Sequence, residues 1–360
     1  MCNACGYCHG YCQVFNLSRL YSSFADNDLS YLANICHDCR ACLDACQYAK
    51  PHEFHIDVPD SLRDLRHHTY KLYGRPRFVA DFLGRSKYGG FVLVVVAMLL
   101  SVSVLGLSTL PEISSIRTAA PTFYDAVSWQ VMMLVGAVPA AWSLTAIARS
   151  TVSFWRDIWG QSIERPQILD LLQTLCGIFT WHHFGALSHG CQGNGLYLTF
   201  RRKYLHLGLL YGCISCFAAT VVGTIYHHIL GQPAPYAYTS LPVILGTVGG
   251  GAIMVGAIGL FIVGPRSSLD RKADVSLLPS LSLVAFTGLS LLLFRESRAM
   301  TFLLTLHLGA VVGFFLSIPY GHFLHGPFRA IAMLRAASQI KTNMAVSAKK
   351  TQTIKLGPAD

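Results

Sequence analysis

Eight cysteines fall into two runs of one spacing, Cys2-Cys5-Cys8-Cys12 and Cys36-Cys39-Cys42-Cys46, each reading C-x2-C-x2-C-x3-C. Three thiolates set two residues apart can wrap one iron–sulfur cube from a single tight loop. The fourth iron then needs a thiolate arriving from elsewhere. Zinc also takes C-x2-C pairs. A structural zinc site uses two such pairs for one tetrahedron, however, and a triple followed by x3-C fits that poorly. A disulfide framework belongs to an oxidising compartment and usually to a small secreted domain. The full spacing, used twice, points to two [4Fe-4S] clusters.

This is the ferredoxin-type spacing, in which the fourth cysteine of each run serves the other cluster. On this sequence the crossing puts Cys2, Cys5, Cys8 and Cys46 on one cube and Cys36, Cys39, Cys42 and Cys12 on the other. Gln13 and Gln47 stand where a proline often follows the fourth cysteine. His52 and His55 follow the second run, either as hydrogen-bond donors to its sulfurs or as exposed loop residues.

Histidines form the second constellation. Two apolar stretches are framed by them: one begins at His206 and ends at His227-His228, and another begins at His307 and ends near His325. Ionisable residues in such stretches are costly and usually functional. The two stretches run in opposite directions, so each membrane level offers one histidine from each helix. At 3.6 residues per turn, His307 and His325, eighteen apart, share a face; His206 agrees with His228 within about 40° and with His227 within about 60°. The pattern matches bis-histidine ligation of b haem between facing helices, with His206 and His325 at the inner level and His227 or His228 with His307 at the outer. His322 is out of phase with His307 and is the weaker ligand. His182, His183 and His189 are candidates for a quinone or partner site. Cys213 and Cys216 inside the same stretch read as small packing residues.

The elements that must position these residues are mostly apolar. The 360 residues are 52% hydrophobic and 13% charged, with 28 Lys and Arg against 18 Asp and Glu, and the mean hydropathy is +0.44. That balance belongs to a membrane protein. The basic residues sit between apolar runs and form no nucleic-acid-binding stripe. Six runs are near the length needed to cross a bilayer, at about 91–110, 126–148, 204–230, 241–263, 277–294 and 301–323. Lys and Arg collect on alternate loops and in the tail, which places both termini and the cysteine module in the cytoplasm. Arg295 and Arg298 are the exception. No cleavable signal precedes the cysteines, and Met1 lies so close to Cys2 that the natural start is expected upstream.

The chain divides into a two-cluster module at 1–56, a basic juxtamembrane linker at 57–87, a transmembrane domain at 88–330 and a basic tail without fixed structure at 331–360. Asp26 to Leu32 reads as a capped helix, and His55 to Pro59 as extended. Arg63, Arg66, Lys71, Arg75, Arg77, Arg85 and Lys87 suggest an amphipathic helix on the lipid surface or against an acidic partner. Ile168, Leu171, Leu172, Leu175 and Ile178 repeat at helical spacing and suggest an interfacial helix. The glycines of 241–263 admit either close helix packing or a flat cofactor.

The sequence resembles the tricarballylate/citrate utilisation protein B family (TcuB/CitB), related to the carboxyl-terminal half of CobZ. The stretches that carry this are Cys2-Asn3-Ala4-Cys5-Gly6-Tyr7-Cys8, Tyr31-Leu32-Ala33-Asn34-Ile35-Cys36-His37, Pro51-His52-Glu53-Phe54, Tyr226-His227-His228, His307-Leu308-Gly309 and Pro319-Tyr320-Gly321. The resemblance implies a mainly α protein of the bacterial inner membrane: a ferredoxin-like two-cluster module followed by a six-helix transmembrane bundle with haem b, arranged like a nitrate reductase gamma subunit. It implies an oxidoreductase component that reoxidises the FAD of a TcuA-like dehydrogenase and passes electrons to the quinone pool. No residue here is a credible acid–base or nucleophilic catalyst, so substrate chemistry belongs to the partner. The nearby lysines and arginines are expected to raise the cluster potentials. A membrane-anchored redox sensor and a CobZ-like role in cobalamin synthesis are the alternatives.

Overall fold

A computed structural model describes residues 5–6, 12–38, 41–113, 123–159, 166–180, 196–263 and 270–355. Among these every regular element is helical. The amino-terminal part holds α1 (Gln13–Ser18), α2 (Asp26–Ile35), α3 (Ala41–Asp44), α4 (Val58–Tyr73) and α5 (Arg77–Gly84). Then come α6 (Gly89–Ile113), α7 (Phe123–Ala126), α8 (Trp129–Ile158), α9 (Ile168–Thr180) and α10 (Leu196–His228). The remainder is α11 (Leu241–Ile262), α12 (Asp270–Leu293), α13 (Met300–Ser317) and α14 (His325–Lys355). The chain forms two compact units, Met1–Tyr73 with Ala148–Thr199 and Leu324–Asp360, and Gly74–Ile147 with Phe200–Phe323.

In the first unit α2 carries the core, with Tyr31, Leu32, Ala33 and Ile35 buried. Its start is capped as expected: the Asp28 carboxylate accepts the Ala25 N–H at 3.3 Å. Three corrections arise here. First, the segment expected to be extended becomes helical at Val58, where Pro59 sits in the first turn and its missing N–H costs nothing. Second, the basic stretch is not one lipid-facing helix. It splits into α4 and α5, and Arg63 on α4 is 1% exposed because two carboxylates, Asp38 and Asp60, hold its guanidinium. Third, the tail is helical through Lys355. Its Phe328, Ala332, Leu334 and Ala336 are buried, and Phe328 stacks on Phe154 at 4.6 Å. Burying that apolar face is what orders α14.

The same helix lays Arg335 over the Tyr31 ring at 4.0 Å and hydrogen-bonds it to Asp28 at 3.1 Å. The Tyr31 hydroxyl donates to Gln339 at 3.2 Å. The expected helix α9 also forms. Its Asp170 pairs with Lys341 of α14, while Ile168, Leu169 and Leu172 are exposed.

The second unit is built of long apolar helices. Five of the described helices are long and apolar enough to cross a membrane, and a sixth candidate is the pair α5 and 89–104, bent by 97°. Close approach explains part of the packing. A Cβ on Gly309 would meet the Met98 backbone at 2.6 Å, so α13 lies directly on α6. The glycines of α11 serve helix packing. A Cβ on Gly249 would meet Cys216 Sγ and the Gly212 carbonyl at 2.8 Å, and one on Gly256 the Leu205 carbonyl at 2.7 Å. Cys213 and Cys216 accordingly pack as small residues against the core of this unit.

The histidine phases differ from expectation on one side. His206 and His228 share the uninterrupted helix α10. His307 and His325 do not share a helix. Between α13 and α14 lie two short 3-10 segments, Ile318–Tyr320 and His322–Leu324, joined through Gly321. Pro319 lacks the N–H that a continuing helix would need, so the eighteen-residue phase is not conserved across the break.

Candidate functional site

The first cysteine run enters α1. Cys12 is its N-cap, in extended backbone, and the Cys12 carbonyl accepts the Phe15 N–H at 3.2 Å. Val14, Phe15 and Leu17 are buried and pin that turn to the core. The second run begins where α2 ends. Cys36 is the C-cap residue, buried, with its N–H on the Leu32 carbonyl at 3.3 Å. Cys42 lies in the short helix α3, and Cys46 follows it, its N–H on the Leu43 carbonyl at 3.1 Å.

Cys5, Cys42 and Cys46 line one pocket with apolar walls that include Phe15, Ile56 and Val58. Cys5 and Cys46 belong to the same cube in the crossed pairing, and Cys42 to the other. Cys2, Cys8 and Cys39 lie outside the described residues. Cys5, Cys12, Cys36, Cys42 and Cys46 are all free of disulfides. Among the described residues no three His, Cys, Asp or Glu side chains lie close enough together to hold a metal ion. The three cysteines line one apolar pocket, and soft thiolates are the donor type an iron–sulfur cube takes.

The turn after Cys36 is the most constrained part. Asp38 has φ of 52°, a left-handed conformation uncommon for a side chain other than glycine. Its N–H points back to Cys36 Sγ at 3.4 Å. Arg63 Nη2 donates to both Asp38 carboxylate oxygens, at 2.8 and 2.7 Å. Arg66 Nη1 donates to the Cys36 carbonyl at 2.7 Å, and Arg329 Nη2 to the Ile35 carbonyl at 3.0 Å. Arg63 and Arg66, expected to face lipid or a partner, instead grip the segment that carries Cys36, together with Arg329 of α14. Further along, the His52 ring packs edge-on against Tyr48, and its Nδ1 accepts the Phe54 N–H at 3.2 Å. His52 thus shapes the loop, and His55 is exposed. His67, on α4, is pushed down to about 4 by burial and then by Arg66, Arg63 and Lys71.

Among the histidines, His325 opens α14 in the first unit and is half-buried. The other four lie in the second unit. His206 is half-buried on α10. His227 and His228 end that helix in an aromatic group: Tyr124 lies 5.2 Å from His227, and Trp129 4.8 Å from His228. His227 Nδ1 is buried without a hydrogen bond among the described residues. His307 on α13 places Nδ1 3.0 Å from the Thr287 hydroxyl of α12. A Cβ on Gly288 would meet His307 Cε1 at 2.9 Å, so the ring packs closely on that backbone with its Cε1 nearest. Thr287 and Gly288 are not distinguished by the sequence, since neither spacing nor residue type marks them. Arg295 is held locally, donating to the Tyr236 carbonyl at 2.6 Å and lying over the Tyr238 ring at 3.6 Å. His182, His183 and His189 lie outside the described residues.

Comparison with known proteins adds the family. Residues 1–71 match the model of the citrate utilization protein B Fer4-like domain, and residues 85–346 match that of citrate utilization protein B. The chain is 36% identical over 346 residues to citrate utilization protein B of Escherichia coli, covering 94% of this chain and 89% of that protein. No solved structure matches. A Fer4-like amino-terminal domain supports iron–sulfur binding and a redox role. The chain belongs to the citrate utilization protein B family.

Proposed function

We propose that this protein is a membrane electron carrier that takes electrons from the reduced FAD of a partner dehydrogenase acting on a tricarboxylic acid. They pass through two [4Fe-4S] clusters and b haem to the quinone pool. The observation that carries the reading is the Fer4-like cysteine module on the same chain as a set of apolar, membrane-length helices. Bound clusters and haem supply one-electron carriers, and the residues of the chain hold, orient and tune them. Cys2, Cys5, Cys8 and Cys46 are assigned to one cluster and Cys36, Cys39, Cys42 and Cys12 to the other. The cysteine module is assigned to the cytoplasmic side of a bacterial inner membrane, from the placement of Lys and Arg between the apolar runs.

His206, His227, His228, His307 and His325 remain the proposed haem ligands. The environment of His307 supports that role. The Thr287 hydroxyl sits 2.9 Å from the Leu283 carbonyl and 3.0 Å from that of Val284, and gives its one hydrogen to them. His307 has two partners on α12, the Thr287 hydroxyl at Nδ1 and the Val284 backbone, and the tautomer that carries its hydrogen on Nδ1 leaves Nε2 with a free lone pair. A hydrogen-bonded Nδ1 is the usual support for a histidine that binds metal through its other nitrogen. The α5 helix, at 97° to the first apolar stretch and with Phe78 and Phe82 exposed, suits a position along the lipid surface.

The test is a reduced-minus-oxidised absorption spectrum of the anaerobically purified protein in detergent. Sharp b-type bands over a broad iron–sulfur bleach are expected. A broad bleach alone would remove haem and the transmembrane path, and would favour a membrane-anchored cluster sensor.

A further inference from the structure

The stretch after Cys46 is tightly folded and carries an exposed aromatic ring. Tyr48 lines the pocket that Cys5 and Cys46 share. Its ring lies 5.1 Å from His52 and 5.9 Å from Phe54, and His52 lies 4.9 Å from Phe54. The backbone fixes these rings. The Ile56 N–H donates to the Tyr48 carbonyl at 3.0 Å, the His52 N–H to that of Ala49 at 2.9 Å, and the Phe54 N–H to His52 Nδ1 at 3.2 Å. His55 is held at φ of 45°, where a side chain other than glycine is uncommon. Yet Phe54 is 67% exposed. Through Tyr48 this exposed ring is continuous with the cysteine pocket.

An exposed phenyl ring forgoes the burial by which it would stabilise a fold. Held in place, it loses little freedom when a second surface covers it, which is how an interface anchor behaves. The charges around it decide between protein and lipid. Within 44–55 the exposed charged residues are Asp44, Lys50 and Glu53, two negative against one positive. The α5 stretch is the contrast. Its Phe78 and Phe82 are exposed among Arg77, Asp81, Arg85 and Lys87, three positive against one negative, the balance that an anionic lipid surface attracts. An aromatic ring among charges of both signs suits a protein surface instead. We propose that Phe54 anchors the docking surface for the flavoprotein that reduces this chain, at the edge of the cysteine pocket. The proposal rests on the electron-carrier reading above. Two electrons from the partner's FADH2 go one to each cluster, and its two protons go to water.

The test uses the full chain in its native host, with the photo-crosslinker p-benzoylphenylalanine replacing Lys50 and, separately, Asp64, which is exposed on α4. Cells are irradiated, and the affinity-purified adduct is scored for FAD released on denaturation. A flavoprotein adduct is expected from position 50 and none from position 64. Its yield falls on the order of tenfold when Phe54→Ala or Phe54→Glu is added, and Phe54→Trp retains it. Dithionite, which needs no docking, bleaches the clusters of every variant equally, so a lower yield is not a loss of fold. A lipid adduct from position 50, or a flavoprotein yield indifferent to Phe54, would overturn the docking surface. Flavoprotein captured at 64 and not at 50 would overturn it while leaving the donor in place. No flavoprotein at either position would overturn the donor reading as well, and no iron–sulfur bleach in wild type would remove the clusters beneath both.

Discussion

Cys46 and Thr287 belong to different parts of the proposed electron path, and single substitutions separate them. Cys46→Ser removes one thiolate from the pocket it shares with Cys5 and Cys42. Iron per protein is expected to fall by roughly half, one cluster of two, measured by metal analysis beside the haem absorbance, which should stay. Thr287→Val removes the hydroxyl partner of His307 Nδ1 while keeping side-chain volume. Outer-haem absorbance is expected to weaken or its midpoint to move, and an unchanged spectrum and midpoint would argue against His307 as a ligand.

His67 has a pH signature. Its folded value, about 4, lies below the ordinary 6.5, so the unfolded chain takes up the proton first as pH falls. The stability contributed by neutral His67 is therefore complete above about 6.5 and lost between 6.5 and 4. The thermal midpoint of wild type is expected to fall more between pH 7 and pH 5 than that of His67→Gln, and parallel slopes would count against it. The cysteine runs were legible because their spacing is a local signal. The arginines were not. Arg63 and Asp38 stand 25 residues apart, and Arg329 and Ile35 294 apart, and no periodicity encodes a pair at such separation.

Among the elements, α10 and α11 depend on contact through glycine. Gly256→Leu drives side-chain atoms into the Leu205 carbonyl and the Leu209 N–H, which belong to backbone and have no alternative rotamer. A cost of about 1–3 kcal/mol is expected, read as a lower thermal midpoint in detergent. Gly251→Ala, with open space around its Cβ, serves as the neutral control. The apolar runs were readable as helices because length and hydropathy suffice for that. Pro319 and Gly321 are breaker residue types, and the eighteen-residue phase of His307 and His325 holds only along an unbroken helix. The tail looked unstructured for a related reason. Its charge is high, yet Arg329, Arg335, Gln339 and Lys341 are partners of groups near the other end of the sequence or in α9, and a composition-based reading has no access to those partners.

At the scale of the whole molecule, the composition announces a membrane protein and the cysteines announce redox chemistry. Neither reveals how the cysteine module is completed. Its α1 to α4 come from the first 73 residues, and α2 packs against α1 and α4 as well as against α14. Between them in sequence stand the described helices that are long and apolar enough to cross a membrane. This has a consequence for biosynthesis. During translation the cysteines emerge early, but Phe328, Leu334 and Arg335 reach the ribosome exit only after every apolar helix of the second unit has been made. Until then the face of α2 that receives Arg335, and the Ile35 carbonyl that receives Arg329, stay open to water and to whatever delivers iron and sulfide. The face of α2 that α14 covers is thus made before the intervening apolar helices and covered only after them.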